Sequence, residues 1–167
     1  MQLLKALSFA TLAVLFTLIF IGGYVSASVV GLTCPDWPLC PQGLLPHVDF
    51  IIEYIHRSFA ATTGMLVIAT MAFTLKSNYA PRGMKISSII AAAAVIGQVT
   101  LGAIVIVERL HAILVTAHLG LGIVLFSMVL ITMLYAFKIS NGKIKTTTEV
   151  SSNLSAGGKR ITEAEEQ

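Results

Sequence analysis

The sequence predicts an all-α integral membrane protein, a four-helix bundle with both termini in the cytoplasm. Its 167 residues are 56% hydrophobic and only 11% charged, and the mean hydropathy is +0.86. A soluble domain carries about 25% charged residues, so this chain could not cover a water-exposed surface. Crossing a hydrocarbon core takes about 20 helical residues. Four apolar segments reach that length, and they span residues 6–29, 51–75, 86–107 and 111–137.

The first segment, residues 6–29, has a competing interpretation as a signal peptide cleaved after residues 26–28. The apolar core of a signal peptide has about 7–15 residues, and this run is longer. We therefore expect it to remain as the first spanning helix. An outer loop, residues 30–50, follows and contains the stretch "GLTCPDWPLC".

The outer loop carries the two cysteines of the chain, Cys34 and Cys40. Pro35 and Pro38 lie between them and restrict the backbone, which lowers the entropy cost of joining the sulfur atoms. A disulfide persists on the outer side of a prokaryotic membrane, so one bond is possible here. A structural zinc site needs four ligands, so two thiols alone are a poor metal site. The pair could be a structural link or a strained, redox-active disulfide.

Basic residues set the predicted orientation, because short cytoplasmic loops are enriched in Lys and Arg. They occur near the N-terminus, in the loop "KSNYAPRGMK", and after the fourth segment: Lys5, Lys76, Arg82, Lys85, Lys138, Lys143 and Lys145. Both termini are therefore expected inside, and the outer loop and the turn at 108–111 outside. Residues 1–137 form the predicted membrane domain. Residues 138–167 are polar and lack an apolar period, which predicts a disordered cytoplasmic tail.

Two histidines lie inside spanning segments, where an ionisable residue is costly and is a candidate for function. Both His56 and His118 lie about 10 Å below the outer ends of their helices, at roughly 1.5 Å per residue. Two imidazoles at matched depth could bind one haem iron from opposite faces, although a buried histidine is more often structural. His47 in the outer loop is expected to be solvated, and His111 suits the membrane interface.

Glu53 and Arg57 flank His56 and lie one helical turn apart, so they could form an ion pair that holds the helix end. In a functional interpretation, the Arg57 guanidinium binds a haem propionate. Glu53 then serves the reaction as a proton acceptor or cation stabiliser.

Small residues near the histidines could let a flat macrocycle approach the backbone. His56, Ala60, Thr63 and Gly64 share one helix face, and Gly122 lies one turn from His118. Small residues also let membrane helices pack closely, and this explains Gly97, Gly102 and the alanine run 91–94 equally well.

The stretches "GLTCPDWPLC", "EYIHR", "QVTLGAIVI" and "AHLGLGIVLF" resemble the haem A synthase family in order and spacing, over residues 10–137. The resemblance implies an integral membrane oxidase that converts haem O into haem A for cytochrome aa3-type oxidases. The C8 methyl would be oxidised in two successive steps, the second giving a hydrated aldehyde that loses water.

The resemblance also assigns roles to residues. It implies that His56 and His118 are axial ligands of the iron of haem b or haem O, that Glu53 is important for the reaction, and that Cys34 and Cys40 form an outer disulfide. We predict that disulfide in this chain.

One departure from the family concerns length. Its usual members have eight helices in two similar halves, each with a histidine pair, and this chain matches one half. Closed twofold dimers are the commonest homo-oligomers, so we predict a homodimer or higher symmetric oligomer. Haem O, the lipid bilayer, and a haem O synthase or terminal oxidase are the other expected partners, with no nucleic acid.

The favoured function is therefore haem A synthase in a prokaryotic cell membrane. The alternatives are a non-catalytic membrane haem b protein that transfers electrons and a carrier that delivers haem O unchanged.

Overall fold

The computed structural model describes residues 2–28 and 51–165, with side chains described as far as Ser140. Over these ranges the chain forms helices and no strand. The helices are α1 Gln2–Ala27, α2 Ile51–Lys76, α3 Arg82–Val107 and α4 Ala112–Glu165. Each is long and apolar enough to cross a membrane, and the spanning part of α4 is Ala112–Ser140. The predicted all-α fold with four spanning helices is confirmed.

The end of α4 differs from the disordered tail expected for residues 138–167, because the helix continues to Glu165. The side chains of Ile139 and Ser140 still pack at or near the core. Adding a residue to an existing helix costs far less than starting one. No proline follows Ser140 to stop this extension.

The four helices close into a bundle, since α1 and α3 each pack against both α2 and α4. Consecutive helices are antiparallel. Gly22 near the end of α1 adjoins His56 near the start of α2, and Thr11 meets Thr70 further along. The end of the bundle where α1 and α3 finish and α2 and α4 begin is called the histidine end below.

The bundle is closely packed away from the histidine end. Its middle is an apolar cluster formed by Leu15, Val67, Ala91, Ala92, Ala94, Val95, Leu125 and Val129. Further along, hydroxyl pairs join neighbouring helices: Thr11 with Thr70 at 2.9 Å and Ser87 with Thr132 at 2.7 Å. Such bonds between membrane helices contribute on average about 0.6 kcal/mol. This packing fixes the helices so that a cavity can exist at the opposite end.

The connections between helices are short where the structure describes them. Pro81 adopts an extended conformation and caps α3, which therefore begins four residues earlier than predicted, at Arg82. Between α3 and α4 the chain reverses through Arg109 and Leu110, both with positive φ, at 48° and 61°. The Leu110 amide donates to the Val105 carbonyl at 2.8 Å, which closes the end of α3.

Candidate functional site

A cavity of about 790 Å³ lies among all four helices at the histidine end. Its volume falls in the range of about 300–1,000 Å³ that is usual for cofactor and ligand sites. The lining is mainly apolar, with a few polar side chains that include Glu53, His56, Arg57, Gln98 and His118. The structure thus brings four of the predicted site residues to one cavity and adds Gln98.

The two histidines occupy equivalent places on their helices. His56 follows the start of α2 at Ile51 by five residues, and His118 follows the start of α4 at Ala112 by six. These offsets correspond to roughly 8 and 9 Å along the helix axes, so the two histidines lie at similar distances from the first described residues of their helices. In both rings Nδ1 is buried with no hydrogen-bond partner among the described residues.

A glycine on the preceding helix lies next to each imidazole. A Cβ atom at Gly22 of α1 would lie 3.0 Å from Cε1 of His56, and one at Gly102 of α3 would lie 3.5 Å from Cε1 of His118. Gly22 and Gly102 each lie five residues before the end of their helix. The two helical hairpins α1–α2 and α3–α4 thus present the same glycine–histidine arrangement to the cavity.

Glu53 and Arg57 form the ion pair that their spacing predicts. Nη2 of Arg57 donates to Oε1 of Glu53 at 2.6 Å. The side chains are only 3% and 15% exposed respectively, and both line the cavity. Removing one partner of such a buried pair leaves an uncompensated charge, which is strongly destabilising. The pair therefore fixes a carboxylate beside the cavity one turn from His56.

Gln98 is a site residue that the sequence analysis did not identify. Its Nε2 donates to the carbonyl oxygen of His118 at 2.9 Å, across the α3–α4 interface. A Cβ atom at Gly122 would lie 2.8 Å from this nitrogen. Gly122 lines the cavity as well, so its expected role in letting a macrocycle approach α4 stays a prediction. An amide within an apolar spanning segment is the signal that could have revealed Gln98.

Two roles were considered for the other small residues: letting a macrocycle approach the backbone, and letting helices pack closely. Ala60 and Thr63 line the cavity, whereas Gly64 does not and has no atom within 4 Å of its Cβ position. Gly97 faces Leu121 across the α3–α4 interface, as expected for helix packing. Gly102 was assigned to packing as well but contacts His118.

One further predicted residue, His111, is described and does not line the cavity. His111 is exposed just before α4, in keeping with a place at the interface. Cys34, Cys40 and His47 lie outside the described residues. Their disulfide and solvation stay predictions, as does the orientation of the termini.

The residues present fit a haem group. Within the described ranges, no three His, Cys, Asp or Glu side chains are grouped closely enough to hold a metal ion. A haem iron needs only axial ligands from the protein, and two imidazoles can supply them. The lining is apolar, and the two glycines leave space between the hairpins, so the cavity suits a flat, apolar macrocycle.

Comparison with known proteins agrees with this geometry. Residues 46–158 match the family model COX15-CtaA, described as cytochrome oxidase assembly protein. A heme A synthase of Bacillus licheniformis is 33% identical over 131 residues, which are 77% of this chain and 43% of that protein. A heme A synthase of Exiguobacterium sibiricum is 31% identical over 134 residues, 76% of this chain and 45% of that protein. The chain thus spans less than half the length of these curated relatives.

A relative with a different name matches the same chain. A protoheme IX farnesyltransferase of Haloarcula marismortui is 29% identical over 134 residues, which are 80% of this chain but only 28% of that protein. The four spanning helices and these relatives identify a multi-pass protein of a prokaryotic membrane. Because the family model covers most of the chain, the chain belongs to the COX15-CtaA family of cytochrome oxidase assembly proteins.

Proposed function

We propose that this chain binds haem between His56 and His118 and acts as a haem A synthase, oxidising the C8 methyl of haem O to a formyl group. The observation that carries the proposal is the pair of imidazoles on two hairpins, each set against a glycine and both lining one apolar cavity. When bound, a haem would be held by His56 and His118 and would supply the redox chemistry.

Arg57 and Glu53 are the charged groups available at this site. The Arg57 guanidinium suits a haem propionate, because its planar donors match a carboxylate. With water as the source of oxygen, conversion of a methyl to a formyl group releases protons and electrons in equal number, and an oxidised electron carrier of the membrane must accept the electrons. The Glu53 carboxylate, held by Arg57 at 2.6 Å beside the cavity, would accept protons from that carbon or its water.

A second copy of the chain is one partner that we propose, because closed twofold pairs are the commonest homo-oligomers. We infer a homodimer in which each copy holds one haem and electrons pass between the two.

The similarity to part of a protoheme IX farnesyltransferase supports haem O as the ligand. In that protein, a segment like this chain is joined to a larger remainder. Addition of a farnesyl group to protohaem is the class of reaction that must supply haem O. An enzyme of that class is therefore the protein partner we propose, and a terminal oxidase would receive the product.

The test is the chemical identity of the pigment made by cells that express this chain together with a haem O supply. We expect extraction and mass analysis to find haem A, and to find unaltered haem O when His118→Ala replaces the wild type. Bound haem O with no haem A would instead indicate a carrier. Haem b alone would indicate an electron-transfer protein, and either result would overturn the synthase proposal.

A further inference from the structure

Gln98 places a carboxamide within the apolar α3 helix, beside the cavity. A buried amide is costly to desolvate unless its polar atoms are bonded. Its Nε2 atom is bonded, at 2.9 Å, to the backbone carbonyl of His118. Its Oε1 atom is buried with no partner in the described part of the chain. The amide is thus retained at a cost, which points to a role beyond packing.

The bond from Gln98 is additional to the regular bonding of α4. In an α-helix the carbonyl of His118 accepts from the amide four residues later, at Gly122. A carbonyl oxygen has a second lone pair, and Gln98 uses it. The bond therefore ties the helical turn that carries His118 to α3, without being needed for α4 to form.

Gly122 has no side chain, and this leaves the space that the Gln98 amide needs for its hydrogen bond to His118. Gln98 Nε2 lies 2.8 Å from the position that a Cβ atom at residue 122 would take, a distance that real Cβ atoms essentially never show. One turn along α3 from Gln98, Gly102 approaches His118 Cε1, with its Cβ position 3.5 Å away. The α3 helix thus contacts His118 twice, at the backbone carbonyl and at the ring.

We propose that Gln98 is a positioning residue that sets the distance of the His118 imidazole from His56 by fixing the 118–122 turn of α4 against α3. The inference rests on the proposed haem binding and deepens it. Without this hydrogen bond, the 118–122 turn of α4 is held less firmly against α3, and the bond from His118 to the iron weakens. Partners that orient a metal ligand in this way typically affect metal affinity by about 10–100-fold when removed.

Carbon monoxide binding to the reduced, haem-loaded protein tests this directly. A haem with two firmly bound imidazoles has no open position, so carbon monoxide binds only when one imidazole leaves. We expect Gln98→Met, which keeps the shape and removes the donor, to bind carbon monoxide about 10-fold faster than wild type. The low-spin absorption bands should weaken in the same variant. Thr100→Val is the matched control, because Thr100 bonds only to Ile96 of its own helix and faces outward.

A second variant, in α4, tests the same hydrogen bond between Gln98 and His118. Gly122→Ala must displace the Gln98 amide, so it should raise carbon monoxide reactivity like Gln98→Met. In a Gln98→Ala background the space is vacated, and Gly122→Ala should add little. Wild-type reactivity and spectrum in Gln98→Met, or full additivity of the two alanine changes, would overturn the positioning role. Failure of the wild type to bind haem would instead refute the proposed function.

Discussion

The two imidazoles differ in how closely the backbone of the neighbouring helix approaches them. The Cβ position of Gly22 is 3.0 Å from His56, tighter than an ordinary contact, whereas that of Gly102 is 3.5 Å from His118. We therefore predict that Gly22→Ala displaces His56 and weakens haem binding by about 10-fold, while Gly102→Ala changes it little. Haem titration of the purified variants measures both. Gly64→Ala is the control, since nothing lies within 4 Å of its Cβ position and Gly64 does not line the cavity. Equal effects at Gly22 and Gly102 would contradict the prediction.

Glu53 is expected to affect turnover more than haem binding, because it lies one turn from His56 rather than at the iron. Glu53→Gln keeps the shape and a hydrogen bond acceptor for Arg57 but removes the charge. We predict less folded protein, because Arg57 loses its paired charge, but normal haem per folded chain. Haem A formation per bound haem should fall by at least about 100-fold, the lower range for losing a general base. Haem A yield per bound haem measures this. A normal yield would mean that the ion pair only holds the helix end.

Whether a site residue could be predicted from the sequence depends on whether its role follows from its position along one helix or from the packing of two helices. His56, His118, Glu53 and Arg57 could be predicted, because depth and helical spacing depend only on position along one helix. Gln98 could be noticed as an amide in an apolar segment, but its bond to His118 could not be predicted, nor could the approach of Gly22 to His56. Both depend on how α3 and α1 are rotated against their neighbours. Apolar sequence on all sides of a membrane helix leaves that rotation undetermined.

At the scale of elements, the α3–α4 turn contains two residues with left-handed backbone, Arg109 and Leu110. An L-residue in this conformation costs roughly 1–2 kcal/mol, and glycine avoids the penalty. Arg109 is exposed, so we predict that Arg109→Gly stabilises the protein by about 1 kcal/mol. Thermal unfolding in detergent measures this. Arg109→Ala keeps the Cβ atom and should give no gain, so equal stability of the two variants would contradict the explanation.

The elements themselves were largely predictable from hydropathy. The beginning of α2 agrees with the predicted 51, and the end of α3 with the predicted 107. The start of α3 was missed because Pro81 caps the helix before its apolar run begins. The end of α4 was missed because polar composition predicts disorder, whereas helix extension needs no apolar face once the helix exists.

At the scale of the whole molecule, one chain offers one histidine pair and one large cavity among its described residues. We predict a homodimer or higher symmetric oligomer in mild detergent, with about one haem per chain, because closed twofold pairs are the commonest homo-oligomers. Light scattering corrected for bound detergent and lipid gives the protein mass. An active enzyme that remains monomeric at all concentrations would show that a single pocket suffices.

The central claim is that His56 and His118 together ligate one haem, and absorption spectroscopy of the haem-loaded protein tests it most directly. We predict a low-spin spectrum for wild type and for the control His111→Ala, and its loss in both His56→Ala and His118→Ala. Added imidazole should restore the low-spin bands in the two alanine variants, which separates lost ligation from misfolding. An unchanged low-spin spectrum in His118→Ala or His56→Ala would contradict the account.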